Sequence, residues 1–354
     1  MIKYSDDYEN KRELIVKLVN DLYKNKKDNE AIIRVIYESA NTKCIINEDN
    51  EKINRVKETT FTNLSTKELL KLFNKENFFH LLTPAKKKES LYFYENLLQE
   101  VYNRQAKENN CEPKNLVFVR ELTNPLTLGY TTFGKNDLFI NRLYLDLPKY
   151  IRTENKLKVL GGDILKTLIH ETQHTIQHEN IMKFAINDLQ DDREKFIACL
   201  NIARYAFYST PEGEKHYKDN YKFDMMEHDA NIAPIKYIMN KEKNGDFDNF
   251  DVKCLYANKE KSRLDIQDIN DTKSLNKRTR EMEKVINDYR KYINSLPEGE
   301  ITNKVRDTLN DYMKKDKKGN SKFKDLLKKD FEISLAFIKQ VEEQKSQNNS
   351  MQNV

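Results

Sequence analysis

The sequence predicts an α+β fold that is mostly helical, with one small antiparallel sheet near the middle of the chain. Three observations predict it. Apolar residues recur at helical spacing through the first hundred residues and again through the last hundred. One stretch alone, from Leu116 to Leu147, carries the β-branched and aromatic runs of strands. The chain has 354 residues, 38% of them hydrophobic and 34% charged, so it can bury a sizeable core beneath a heavily charged surface.

The first helices follow from Leu14, Ile15, Leu18, Val19 and Leu22, then Leu69, Leu70 and Phe73, then Tyr94, Leu97, Leu98, Val101 and Tyr102. In "NLSTKELLKLF", Ser65 or Thr66 is placed to cap a helix whose first turn holds Glu68. "LVFVREL" then reads as a strand. "LGYTTFGKNDLFINRLYLDL" reads as a hairpin turning at "GKND". Gly161 and Gly162 precede a helix with Asp163 as N-cap and a buried stripe of Ile164, Leu165, Leu168, Ile169, Thr172 and Ile176. A further helix spans Asp191 to Tyr208. "STPEGEKHYKDN" reads as a loop. Helix resumes near Phe223 and carries "MMEHDANIAPIKYIM", where Pro234 can introduce a kink. "NKEKNGDFDNFD" reads as a linker. Three amphipathic helices follow, marked by Met282 to Ile293, Ile301 to Tyr312 and Phe323 to Val341. The expected organisation is an N-terminal helical region (1–112), a central unit containing the sheet (113–240) and a charged C-terminal helical region (241–354).

Composition narrows the function classes. The 62 basic and 57 acidic residues nearly balance, which argues against a nucleic-acid groove. No run approaches the ~20 apolar residues of a membrane span. "MIKYSDDYENKREL" lacks the apolar core of a secretory signal. Cys44, Cys111, Cys199 and Cys254 are far apart and form no CxxC pair, so they read as buried free thiols of a reducing compartment. A cytoplasmic location is expected.

Three of the six histidines lie in "LIHETQHTIQH", at positions 170, 174 and 178. On a helix, residues four apart lie ~6 Å along the axis and ~40° around it. His170 and His174 can therefore converge on one ion. Glu171 lies ~100° further round, beside the ion rather than on it, where a carboxylate can take a proton from bound water. His178 is ~12 Å and ~80° from His170 and cannot share that ion. It is expected to be a partly exposed helix residue.

A catalytic zinc takes three protein ligands and keeps a fourth position for water. The third is expected in "MMEHDAN". Glu227 is the leading candidate, with Asn231 one turn on as hydrogen-bond partner of a ligating histidine. His228 and Asp229 are the competitors. They point about 100° and 200° away from Glu227, so at most one of the three faces the ion.

"HETQH" on a helix, the upstream "LFINRLYL" and the downstream "EHDAN" together resemble the zincin-like metallopeptidases, in the gluzincin arrangement. They are also similar to metallopeptidase domains of phages and plasmids of low-GC bacteria. The resemblance covers residues 113–240, and the flanking helical regions match nothing in it. It implies a zincin-like core, a Zn2+ cofactor held by His170, His174 and Glu227, and a protein or peptide substrate. It implies hydrolysis by zinc-activated water with Glu171 as general base, and a peptide added to the outer strand of the hairpin, "LFINRLY". His216, Tyr217 and Tyr221 are candidates for the oxyanion donor. Two other readings compete. One is an inactive zincin fold serving as a binding or structural module. The other is a nucleic-acid-associated protein of a mobile element, suggested by the Lys-rich C-terminal region. The sequence leaves cleavage specificity and oligomeric state open.

Overall fold

The computed structural model describes residues 6–40, 53–55, 61–73, 87–112, 115–119, 128–133, 137–141, 160–264 and 272–352. In chain order the elements are α1 (Asp6–Lys24), α2 (Glu30–Ala40), β1 (Ile53–Arg55), α3 (Thr66–Lys71), α4 (Lys87–Glu108), β2 (Asn115–Val119), β3 (Gly129–Thr131) and β4 (Asp137–Asn141). They continue with α5 (Leu160–Ala185), α6 (Asp192–Tyr208), α7 (Pro211–Asn220), a 3-10 turn (Tyr221–Phe223), α8 (Met225–Lys243), α9 (Phe250–Leu264), α10 (Thr272–Ser295), α11 (Glu300–Met313) and α12 (Lys322–Gln352). The fold is mostly helical with one small sheet, as the sequence predicts.

The sheet departs from expectation in three ways. It is mixed rather than antiparallel, because β2 runs parallel to β4, with Leu116 opposite Leu138. It gains a strand, β1, from the N-terminal stretch, antiparallel to β2. Its order is β1-β2-β4-β3, so the "LFIN" strand β4 is internal and cannot receive a peptide. Every residue of β4 is buried, whereas β3 lies at the edge and is half-buried. The expected turn residues 134–136, the "RLYLDL" that follows β4, and Cys44 lie outside the described residues.

Among the helices, α3 opens as predicted. The Ser65 hydroxyl accepts from the Glu68 N–H and the Glu68 carboxylate accepts from the Ser65 N–H, a reciprocal capping box. α5 begins at Leu160 rather than after the glycines. Gly162 lies in its first turn because α9 crosses there: a Cβ would sit 2.9 Å from Val252 Cγ2. The stretch that reads as a loop is helix α7. Its cues are Thr210, whose hydroxyl accepts from the Gly213 N–H, and Pro211 in the first turn. The expected linker shrinks to residues 244–249, and helix α9, which the sequence pattern does not announce, follows it. Phe247 in that turn is buried.

One continuous hydrophobic cluster runs through the N-terminal, central and C-terminal stretches. α5 lies at its centre and is buried on most sides, packed by α6, α8, α2, α4 and the sheet. α6 joins it to the C-terminal helices. Phe196 stacks on Tyr312 of α11 with ring centroids 4.0 Å apart. The N-terminal stretch caps α11 directly. Asp28 accepts hydrogen bonds from the N–H groups of Ile301 and Thr302, which the helix itself leaves unpaired. Gly299 permits that approach, since a Cβ there would collide with the Asp28 carboxylate. Cys111 and Cys199 are buried free thiols, and Cys254 is half-buried. Among the described residues no helix is long and apolar enough to cross a membrane.

Phe196→Ala should destabilise the chain by about 3–5 kcal/mol. Urea unfolding followed by circular dichroism measures this. A loss below about 1 kcal/mol would mean that α6 and α11 do not share a packed core.

Candidate metal centre

Two helices build the site. α5 presents His170 and His174 one turn apart, and α8 presents Glu227 from its first turn. The two imidazole Nε2 atoms lie 3.2 Å apart. Glu227 Oε2 is 3.7 Å from His170 Nε2, and Oε1 is 3.6 Å from His174 Nε2. Ligand atoms of all three residues fall within 4.8 Å of one another. Zinc–ligand distances of ~2.0–2.2 Å at tetrahedral angles place ligand atoms roughly 3.3–3.6 Å apart. The donor set and its spacing therefore fit a tetrahedral cation with three protein ligands.

Electrostatics favour a positive charge at this point. Burial would hold His174 neutral, but the neighbouring Glu227 carboxylate raises it to about 9. Burial likewise opposes charge on Glu227, and His174 overcomes that, lowering the carboxyl to about 2. The carboxylate thus stays ionised beside the imidazoles.

Gln177 fixes which nitrogen of His174 faces the site. Its Nε2 donates to Met226 O (3.1 Å) and to Asp229 Oδ2 (2.9 Å), both of which can only accept. Its Oε1 therefore points the other way and receives a hydrogen bond from His174 Nδ1 at 2.9 Å. The Nδ1 proton is thereby fixed, so that when the ring is neutral it is Nε2 that offers a lone pair on the Glu227 side. The sequence pattern points to Asn231 for this task. Asn231 is half-buried one turn beyond Glu227, and Gln177 takes its place because it stands on the same helix as His174 and faces α8.

The competitors of Glu227 point elsewhere, as helical geometry requires. His228 approaches Asp330 of α12 (Nε2 to Oδ2 3.3 Å) and stacks on Phe331. Asp229 accepts from Gln173 Nε2 (2.8 Å), Gln177 and an Arg193 guanidinium nitrogen (2.7 Å). His178 is set apart from the converging atoms but is not partly exposed. It is buried, hydrogen-bonded to the Tyr205 hydroxyl at 2.8 Å, with Phe133 against its ring. α6 covers that face of α5, which the spacing of histidines alone does not show.

Glu171 is 7% exposed and lies against the edge strand β3. The Thr131 hydroxyl and backbone N–H lie near its carboxyl and favour the ionised form. Burial, reinforced by the Glu227 charge, pushes its carboxyl up to about 7. Gly129 makes the close approach possible: a Cβ there would sit 3.0 Å from Glu171 Cγ. Of the three candidate oxyanion donors, His216 turns to Asp288 (3.2 Å). Tyr217 lies with its ring 5.4 Å from the Arg204 guanidinium. Tyr221, 45% exposed, is the one whose hydroxyl lies beside Glu227 and favours its ionised form.

Comparison of the chain with protein-family models, with curated proteins and with solved structures returns no match.

Gln177→Leu should lower zinc affinity by about 10–100-fold, the usual cost of losing a ligand's hydrogen-bond partner, while His178→Ala should stay within about two-fold of the parent. Competition against a chromogenic chelator reads both. Equal losses in the two variants would contradict the separate roles of Gln177 and His178.

Proposed function

We propose that this chain is a zinc-dependent metallopeptidase of the zincin type, cleaving peptide bonds in the cytoplasm. One observation carries the reading. Two imidazoles and a carboxylate from separate helices converge at tetrahedral ligand spacing, and an independent buried carboxylate, Glu171, is held beside them. A binding module needs no such second carboxylate.

His170, His174 and Glu227 would hold the ion. When bound, zinc lowers the pKa of a coordinated water towards ~7 and polarises a carbonyl. Glu171 accepts the proton of the attacking water and passes it to the leaving amine. Its burial suits both steps, because a carboxyl near neutrality can take a proton and give it back. Thr131 of β3 stands beside the carboxylate and favours its ionised form. Tyr221 stands at the solvent-facing side of Glu227 and can donate to the oxyanion once a carbonyl is attacked.

β3 replaces β4 as the strand that would receive an extended peptide. It lies at the sheet edge and carries Thr131, the residue that contacts Glu171. Main-chain pairing there would align the scissile bond with the base. The C-terminal helices argue against a nucleic-acid role. Their lysines pair with acids three or four residues away, as in Lys284–Glu281, Lys291–Asp288 and Lys328–Glu332, which supports a solvated face of mixed sign.

His170→Ala should lose the zinc. Glu171→Gln should keep it, keep the fold, and lose about 10²–10⁴-fold in hydrolysis of a peptide library. Parent-like turnover in Glu171→Gln would sink the mechanism. Tyr221→Phe should lower kcat by about 10–10³-fold with little change in KM, as expected for a donor that acts on developing charge. A change in KM alone would assign it to substrate binding instead.

A further inference from the structure

The metal-binding carboxylate is bracketed by two buried clusters that reach into the C-terminal helices. On its N-terminal side, Asp224 caps α8. Its Oδ1 accepts from the Met226 N–H at 2.8 Å. Its Oδ2 lies within hydrogen-bond reach of the hydroxyls of Tyr289 (3.0 Å) and Tyr208 (3.1 Å), which also share a hydrogen bond with each other at 2.6 Å, and it pairs with Arg204 Nε at 3.1 Å. The Asp224 N–H donates to Tyr221 O at 3.1 Å. Asp224 therefore joins the turn that carries Tyr221 to the helix that carries Glu227. Asp224 and Arg204 are buried, and Tyr289, from α10, is 2% exposed. On the C-terminal side, Asp330 of α12 is 1% exposed and meets His228, Lys236 (2.9 Å) and both terminal nitrogens of Arg193. Arg193 in turn reaches Asp229.

Residues 224, 228 and 229 are thus all tied, directly or through Arg193, to the region beyond residue 241. Among the described residues the Glu227 carboxylate meets His170, His174 and Tyr221 and no residue of those C-terminal helices. Its carboxylate can meet two imidazoles on α5 only if the first turn of α8 is held in rotation and height. A metal site tolerates errors of about 0.2 Å in ligand distance. The Asp224 cluster lies one turn or less from both Glu227 and Tyr221, and Tyr289 is its contribution from the C-terminal region.

We infer that the charged C-terminal helices form part of the metal centre, with Tyr289 a positioning residue that sets Glu227, and with it Tyr221, through Asp224. This rests on the metal-binding reading above. It assigns a task to a region whose role the sequence leaves open.

The test uses the full chain and compares two tyrosines that each lose a hydroxyl. Tyr289→Phe removes a hydroxyl from the hydrogen-bonded pair that meets Asp224. Tyr312→Phe removes a hydroxyl of α11 that donates to Asp192 O at 2.8 Å, at the start of α6 and outside the Asp224 cluster. Zinc dissociation constants are measured by chelator competition beside thermal melting. Tyr289→Phe should weaken zinc by about 10-fold, as for a lost outer hydrogen bond, and Tyr312→Phe by less than about two-fold, whatever either does to melting. Tyr208→Phe, which removes the other hydroxyl on the same oxygen, should weaken zinc like Tyr289→Phe and replaces it if that variant fails to fold. Parent-like affinity in the Asp224-side variants, or equal loss in Tyr312→Phe, overturns the inference while leaving the metal centre intact. Absence of zinc binding in the parent chain overturns both.

Discussion

A carboxylate on α8 must stand at fixed distance from two imidazoles on α5, and the side-chain amide of Gln177 is the contact on which that depends. One planar group bonds His174 at one end and the α8 backbone and Asp229 at the other. It sets the imidazole tautomer and the spacing of the two helices together. A hydrophobic seam alone would set neither the tautomer nor the facing polar atoms, because the hydrophobic effect is non-directional. The hydrogen bonds are directional, buried and shared, so a displacement of either helix leaves polar groups without partners.

The same logic runs outward. Asp224, Asp229 and Asp330 are buried acids near the site, and each meets a buried or half-buried cation: Arg204 for the first and Arg193 for the other two. Burying such charges costs several kcal/mol per ion, only partly offset by pairing. A core built for stability alone would use apolar residues there. What the charged groups supply is orientation, and all of them surround the first two turns of α8. β3 completes the arrangement from the other side by holding Glu171 through Thr131, with Gly129 leaving room for the carboxylate's stem.

The part of this that the sequence discloses is the local part. Four-residue spacing on a helix brings His170 and His174 together and leaves His178 out, with no tertiary information needed. The angles of 100° and 200° let at most one of Glu227, His228 and Asp229 face the histidines; Glu227 does, while the other two turn to Asp330 and to Gln177 and Arg193. What stays hidden depends on distant pairings. Gln177 reads as a polar helix residue until α8 lies against it. Tyr289 and Asp330 sit in charged amphipathic helices and become meaningful only once those helices fold back. β1 has no strand pattern of its own beyond three residues, and β4 reads as an edge because its partner β2 precedes it by a connection that gives no register. α7 is legible, with Thr210 as cap and Pro211 in the first turn, but its polar composition reads as loop.

X-ray absorption at the zinc edge of the full chain, loaded with one equivalent of zinc, is the sharpest check on the metal centre. The expected spectrum has a first shell of nitrogen and oxygen at ~2.0–2.1 Å, with outer scattering from two imidazoles. A shell with three imidazoles, a shell containing sulfur, or failure of the chain to take up the ion would contradict the site built from His170, His174 and Glu227.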